Sequence, residues 1–326
     1  MPEGNEIHRW AERHAAAFAG KTVRMDGPQG RFTDWDLLDG RKLRRVMAVG
    51  KHLGYDFGKD RILHVHLGLQ GDFTEGSGAL PAVKGALRLR MWNAAAVRRP
   101  TPDDRAVMNG APSGEALRIQ VSEARPGAPG SVATKRHGWY SSDDGTGHLQ
   151  PEQIAWVELR GPMDCSVWTE EMWERLLERL GPDPLNGDPV DKALERIGKS
   201  KKPLGVLLME QDVMAGVGNI FRAEVLFRAR QSPFTPGREV PAKVVRTMWK
   251  ELEPLMRAGM VDRRIVTTLA KDRVSRTGPV LVGDEHYVYR RNGQDCRVCG
   301  TKVRKREGFA GRNLFWCPGC QGGTES

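Results

Sequence analysis

Four of the chain's five cysteines fall in its last 31 residues, as two C-x-x-C pairs, Cys296/Cys299 and Cys317/Cys320, with seventeen residues between them. Two thiolate pairs at that spacing close a tetrahedral zinc site, each pair seated on a tight turn. Gly300 and Gly319 stand where such turns want glycine. Four protein ligands leave no open position for water, so the expected Zn2+ is single and structural, and the alternative is a set of unmetallated thiols. A metal here would pin a ribbon with too little apolar content to fold alone. Cys165 is isolated and reads as a small buried hydrophobe. The odd count and the paired spacing argue against a secreted disulfide scaffold and for a reducing compartment.

The rest of the chain is long enough for two domains with this ribbon as an appendage. Of its 326 residues 39% are hydrophobic and 28% charged, which excludes global disorder. No run approaches the roughly 18 apolar residues of a membrane span, and the first turn, with Glu3, Glu6, His8 and Arg9, is too polar for a targeting helix. Lys and Arg outnumber Asp and Glu by 51 to 41. The net +10 favours a polyanionic partner, although an ordinary soluble surface can also carry it.

Hydrophobic periodicity gives a β-first, α-second order. Ile7, Trp10, Ala11, Ala15 and Phe18 share one helical face, and Gly20 stops that helix. Brief apolar or alternating runs at 46–49, 53–57, 62–67, 86–92 and 155–159 read as strands of a β-sandwich or barrel. Residues 98–153, rich in Pro, Gly and Asp, read as a surface insert, partly mobile, with one strand at 117–121. After Gly161-Pro162 the pattern turns helical. Thr169 can cap a helix with Met172, Trp173, Leu176, Leu177 and Leu180 on its apolar face, ended by Gly181-Pro182. Further helices are expected at 190–197, 204–209, 220–229 and 244–256. The expected domains are therefore 1–165, 166–285 and 286–326.

Three features carry chemistry. The ribbon holds Arg290, Arg291, Arg297, Lys302, Arg304, Lys305, Arg306 and Arg312 against Asp295 and Glu307, a set that either binds phosphates or forms a solvated face. Gly216-Val217-Gly218-Asn219 ends a turn at a helix start, whose free N–H groups make either a phosphate seat or a packing turn. Lys199, Lys201 and Lys202 raise the potential nearby. The chain begins Met1-Pro2-Glu3-Gly4. Once Met1 is removed, Pro2 is a secondary amine with an α-amino pKa of about 8, partly neutral and nucleophilic at pH 7. Attack on an aldehyde-like carbon gives an iminium ion, and Glu3 beside it can move protons. The bland alternative is that Pro2 only opens a helix.

Together these pieces resemble the formamidopyrimidine-DNA glycosylase and endonuclease VIII family. The match runs from Met1-Pro2-Glu3-Gly4 through Val49-Gly50-Lys51-His52-Leu53, His66-Leu67-Gly68-Leu69-Gln70-Gly71 and Gly181-Pro182-Asp183-Pro184-Leu185. It continues in Gly216-Val217-Gly218-Asn219-Ile220, Arg222-Ala223-Glu224, Tyr289-Arg290-Arg291, Gly311-Arg312-Asn313 and Phe315-Trp316-Cys317-Pro318. The resemblance implies an N-terminal helix plus β-sandwich domain, a helix–two-turn–helix domain and a C-terminal zinc-finger hairpin, with damaged DNA between the first two. It implies a monomeric, cytoplasmic glycosylase and AP lyase of base-excision repair, nucleoid-associated if bacterial. Pro2 would be the nucleophile and Glu3 the proton carrier. Lys51, otherwise a solvated turn lysine, would approach a phosphate and support elimination. Asn219 and Arg312 would hold phosphates, and Leu69 and Gln70 would fill the gap left by the extruded base. Glu6 matches a glutamate near the active site, with helix-end capping as its alternative.

Purine-directed members carry an Asp-Pro-Arg-Arg-Phe-Gly run, where this chain has Leu159-Arg160-Gly161-Pro162-Met163-Asp164, and Leu69 replaces a Met. Both departures point to the endonuclease VIII branch and to oxidised pyrimidines. The competing functions are a purine-directed glycosylase acting on 8-oxoguanine or formamidopyrimidine, and a non-enzymatic zinc-finger binder of damaged or structured DNA.

Overall fold

A computed structural model describes residues 2–97 and 149–323. The first helix, α1 (Gly4–Phe18), buries Ile7, Trp10, Ala11, Ala17 and Phe18. It stops where Ala19 turns extended and Gly20 takes φ +79°. Eight strands follow: β1 (Val23–Asp26), β2 (Arg45–Val49), β3 (His52–Asp56), β4 (Ile62–His66), β5 (Asp72–Gly76), β6 (Leu87–Asn93), β7 (Trp156–Arg160) and β8 (Asp164–Trp168). They form two antiparallel four-stranded sheets, ordered β1-β6-β7-β5 and β2-β3-β4-β8. Val23, Met25, Phe73, Leu89, Met91, Val157 and Leu159 of one sheet meet Leu53, Tyr55, Leu63, Val65 and Cys165 of the other in one core with α1. Alternation along each strand makes this a sandwich, since every second side chain points inward.

The strands expected from the sequence lie within a residue of those observed. β1, β5 and β8 carry no expected run. All three are short edge strands, and β8 continues past residue 165, the expected domain boundary. The strand expected at 117–121 and most of the insert lie outside the described residues.

Helix α2 (Glu170–Arg179) starts as expected, with Thr169 Oγ1 accepting the Met172 N–H at 3.2 Å. Trp173, Leu176 and Leu180 pack on Val49 and Ile62 at the outer face of the β2–β4 sheet. Met172 and Leu177, expected on that face, are exposed. Gly54 lets Trp173 pack close against the sheet, since a Cβ there would meet the indole at 2.8 Å. Next come α3 (Asp191–Gly198), α4 (Leu204–Leu207), α5 (Asn219–Arg228) and α6 (Ala242–Asp262), around a core of Leu204, Leu207, Phe221, Val225, Met248, Leu252 and Met256. α4 is one turn, shorter than expected. α6 runs beyond residue 256 to Asp262, where Arg263 takes φ +55°, and Gly259 permits its close approach to α1: a Cβ there would lie 2.8 Å from Asn5 Nδ2.

The ribbon consists of β9 (Arg304–Phe309), β10 (Arg312–Trp316) and the short α7 (Pro318–Gln321). Ala310 and Gly311 both have positive φ, the requirement of a two-residue hairpin turn. Val303, Phe315, Tyr287 and Val288 share a core with Ala223 and Phe227 of α5. Among the described residues no helix is long and apolar enough to cross a membrane.

Candidate active site and zinc centre

The four cysteine sulfurs lie within 4.8 Å of one another, as the spacing requires. Sγ–Sγ distances of 3.8 Å for Cys296/Cys320 and 3.4 Å for Cys299/Cys317 approach the ~3.8 Å edge of a tetrahedron with Zn–S bonds of ~2.3 Å. Gly300 has φ +75°, and a Cβ at Gly319 would crowd Cys299 Sγ at 3.0 Å. All-thiolate chemistry, four donors and turn geometry fit one structural zinc.

The segment that carries Pro2 and Glu3 enters the interface between sandwich and helices. Glu3 is 1% exposed. Its carboxylate accepts the N–H of Ile220 at 2.7 Å and that of Phe221 at 3.2 Å, the free donors at the start of α5. The helix terminus expected to seat a phosphate is thus occupied by a side chain of the protein itself, a correction explained by burial of Glu3. The two glycines of the hinge serve close packing. Gly218 faces Glu3, where a Cβ would come within 2.4 Å of Cδ. Gly216, at φ +84°, accepts the Gly4 N–H at 2.8 Å.

Lys51 sits on the tight turn between β2 and β3, where Val49 pairs with His52. Gly50 takes φ +58° there. Burial pushes the Glu3 carboxyl above its ordinary pKa of 4.5, and the nearby Lys51 charge and the two helix N–H groups oppose that shift. Burial also pulls Lys51 below 10.5; Glu3 opposes this, and Arg312 and Arg222 add to it. Glu3, Lys51 and Arg312 therefore share one electrostatic neighbourhood. Arg312 opens β10 directly after the hairpin turn.

Asn219 and the ribbon are bound together. Asn219 Nδ2 donates to the Asn313 carbonyl at 3.0 Å, and its Oδ1 accepts from Arg222. Arg222 is fully buried, also donates to the carbonyls of Gly205 and Phe309, and has its pKa lowered to about 10 by burial. Glu224, also fully buried, accepts the N–H groups of Tyr287, Val288 and Tyr289. These two residues lock α5 to the ribbon. They appear in the sequence motif, but nothing local assigns them that task.

The remaining expected residues lie elsewhere. Glu6 pairs with Arg9 one turn along α1 at 2.5 Å, a local helix pair rather than a partner of Glu3. Leu69 is 40% exposed and Gln70 is exposed, both on the turn between β4 and β5. That turn packs on the β7–β8 turn: a Cβ at Gly68 would meet Met163 at 2.8 Å, and one at Gly161 would lie 3.2 Å from the Gln70 carbonyl.

Sequence reasoning assigned no role to Asp183. Its buried Oδ2 accepts the Gly50 N–H at 2.6 Å and lies 2.8 Å from His8 Nε2, while Oδ1 accepts the Leu185 N–H at 2.9 Å. Its position directly after a Gly-Pro helix stop was the available signal.

Family profiles match at both ends of this arrangement. That for the formamidopyrimidine-DNA glycosylase N-terminal domain covers residues 1–99, and that for the H2TH domain of the same family covers 180–270. Endonuclease 8 1 of Mycobacterium tuberculosis is 36% identical over 98% of this chain and 100% of its own length. The formamidopyrimidine-DNA glycosylase of Thermus thermophilus is 37% identical over 45% of this chain and 55% of its own. Among solved structures, Lactococcus lactis Fpg in complex with abasic-site DNA superposes with a TM-score of 0.65 at 18% identity, covering 98% of this chain and 99% of that one. The MutM (Fpg) protein of Thermus thermophilus gives 0.64 at 23%, covering 99% and 100%. These two establish the common fold. With a full-length relative, both family domains and the four-cysteine finger in place, the chain belongs to the formamidopyrimidine-DNA glycosylase and endonuclease VIII family of DNA glycosylases.

Proposed function

We propose that this glycosylase is bifunctional: it removes oxidised bases, pyrimidines by preference, from DNA and cuts the strand at the resulting abasic site. Pro2, with Met1 removed, is the nucleophile. Its amine attacks the sugar C1′, the C1′–N bond to the base breaks, and the ring opens to an iminium ion. Glu3 supplies the proton that the ring oxygen takes up. The iminium acidifies the C2′ proton, so β-elimination and then δ-elimination expel the 3′ and 5′ phosphates in turn. Lys51, Asn219 and Arg312 hold the phosphates around the lesion. Cysteines 296, 299, 317 and 320 hold the zinc that fixes the hairpin carrying Arg312. The extruded base costs a few kcal/mol to unstack, least at damaged pairs, and Leu69 and Gln70 fill the vacated gap.

One observation carries this reading. The carboxylate next to Pro2 is fully buried, held by two helix N–H groups and faced by the charge of Lys51, which in turn feels Arg312. A carboxyl whose pKa is raised by burial keeps a proton to higher pH, as an acid for ring opening must. The pyrimidine preference rests on the β7–β8 turn, Gly161-Pro162-Met163, which lacks the Arg and Phe of purine-directed members, and on full-length similarity to an endonuclease 8.

A panel of duplexes containing thymine glycol, 5-hydroxyuracil or 8-oxoguanine tests it. Fast excision and scission at the two pyrimidines, with slow action on 8-oxoguanine, is expected. The reverse ranking selects the purine-directed reading, and tight binding without any scission selects the non-enzymatic one.

A further inference from the structure

Asp183 stands between the two catalytic segments without belonging to either. Its side chain is fully buried. It is aimed by a short, self-closed turn: the Asp183 carbonyl accepts the N–H of Asn186 at 3.2 Å, and the Asp183 N–H donates to Asp188 Oδ2 at 2.9 Å. From this fixed base Oδ2 reaches the Gly50 N–H and His8 Nε2. Gly50 precedes Lys51 on its turn. His8 lies one turn along the helix that Glu3 opens.

The contacts close into a ring. The Gly50 turn presses on Ala215 and Gly216, where a Cβ at 50 would lie 3.1 Å from the Ala215 Cβ and 3.2 Å from the Gly216 nitrogen. The Gly216 carbonyl accepts the Gly4 N–H, directly after Glu3. The Ala215 N–H returns to the Pro182 carbonyl at 3.0 Å, next to Asp183. Lys51 and Glu3 thus hang from the same closed circuit of backbone contacts, and Asp183 supplies its charged link. A charge-assisted bond at 2.6 Å to a turn N–H is stiff, and a carboxylate with both oxygens engaged has one orientation.

We propose that Asp183 is a positioning residue: its buried carboxylate clamps the Lys51 turn to the N-terminal helix and so sets where Lys51 stands relative to Glu3. The inference rests on the reading that Pro2, Glu3 and Lys51 carry the lyase chemistry. Its consequence is specific. Loss of the clamp slows covalent capture of the sugar and elimination much more than it weakens DNA binding, because the displaced Lys51 is one of several phosphate contacts that share the affinity.

The Asp183→Asn protein tests this. It is nearly isosteric, but its NH2 must face either the Leu185 N–H or the Gly50 N–H and His8, so one side of the clamp is broken. Three quantities are read on the full-length, zinc-loaded chain: the single-turnover rate of borohydride capture on an abasic duplex, the Kd for a duplex with an uncleavable abasic analogue, and Tm. The expected result is capture slowed roughly 10- to 100-fold, the effect of misplacing a catalytic group by about an ångström, with Kd within about threefold of the parent. His8→Leu removes one donor and should slow capture less, and His8→Gln, which keeps a donor, should restore it; this pair decides the matter if Asp183→Asn does not fold. Unchanged capture in folded Asp183→Asn overturns the proposal. So does a parallel fall in rate, affinity and Tm, or, if Asp183→Asn does not fold, equal capture by His8→Leu and the parent. Glu3→Gln, run alongside, separates the two levels. If it captures at the parent rate, the catalytic reading itself is wrong and the positioning role falls with it. If it is inactive while Asp183→Asn is unaffected, only the positioning role fails.

Discussion

Gly218 shows how little freedom the Glu3 carboxylate has. Any β-carbon at 218 lands 2.4 Å from Glu3 Cδ, so Gly218→Ala must push the carboxyl off the α5 N–H groups. Single-turnover capture of abasic DNA by that variant is expected to fall by roughly 100-fold, while its circular dichroism stays native. Glu3 also links activity to stability. Its folded pKa lies above its unfolded value, so its contribution to stability is fully present below about pH 4.5. That contribution is lost as pH rises through the folded pKa, because a buried charge replaces a buried acid. Glu3→Gln removes the titration. Its Tm relative to the parent should therefore climb as pH rises above 4.5; a difference independent of pH would contradict the burial argument. At this scale the cysteine cluster was legible because its spacing is specific, whereas Pro2 and Glu3 stand out as candidates only through the family motif. Lys51 looked like any turn lysine outside its motif. Asp183 was silent because its partners Gly50 and His8 are 133 and 175 positions away, and no local pattern encodes such a contact.

Elements follow the same division. α1, α2 with its Thr169 cap and the inner strands carry enough periodic apolar residues to be read directly. β5 and β8 do not: as edge strands they bury few side chains, and their pairing depends on β7 and β4 being in place. Of the two alternatives for the glycine hinge, the packing turn holds, and the helix N–H groups that could have met a phosphate are taken by the Glu3 carboxyl. The ribbon was legible from its cysteines, yet its apolar side chains reach beyond it to α5, and Phe309, Leu314 and Trp316 pack with Val206 and Phe234. Removal of zinc should therefore loosen the hairpin and release Arg312 while the sandwich persists. Chelation is expected to free one zinc per chain and to weaken binding to abasic-analogue duplex by about tenfold or more, the value of a charge-assisted contact of ~1.5–3 kcal/mol. Zinc quantification with fluorescence anisotropy checks both; full affinity after zinc loss would refute the link between metal and Arg312.

Across the whole molecule the order of patterns, β then α then metal ribbon, forecasts a β-sandwich or barrel, a helical region and a metal-bound ribbon; the choice of a sandwich comes with the family resemblance. The junction between them was not forecast, because it is built from glycines, buried charges and backbone bonds with no periodic signature. The net +10 gives the DNA-binding reading a measurable form. Arg312→Gln should reduce the slope of log K against log salt by roughly one unit, as expected for one lost phosphate contact. An unchanged slope would remove Arg312 from the interface. The central claim is that an N-terminal secondary amine bonds to the sugar beside a buried carboxyl. Borohydride capture on abasic DNA, followed by peptide mapping of the adduct by mass spectrometry, tests it most directly. The account predicts a peptide that begins at Pro2 and carries the reduced sugar on its nitrogen; an adduct on Lys51 or any other side chain would contradict it.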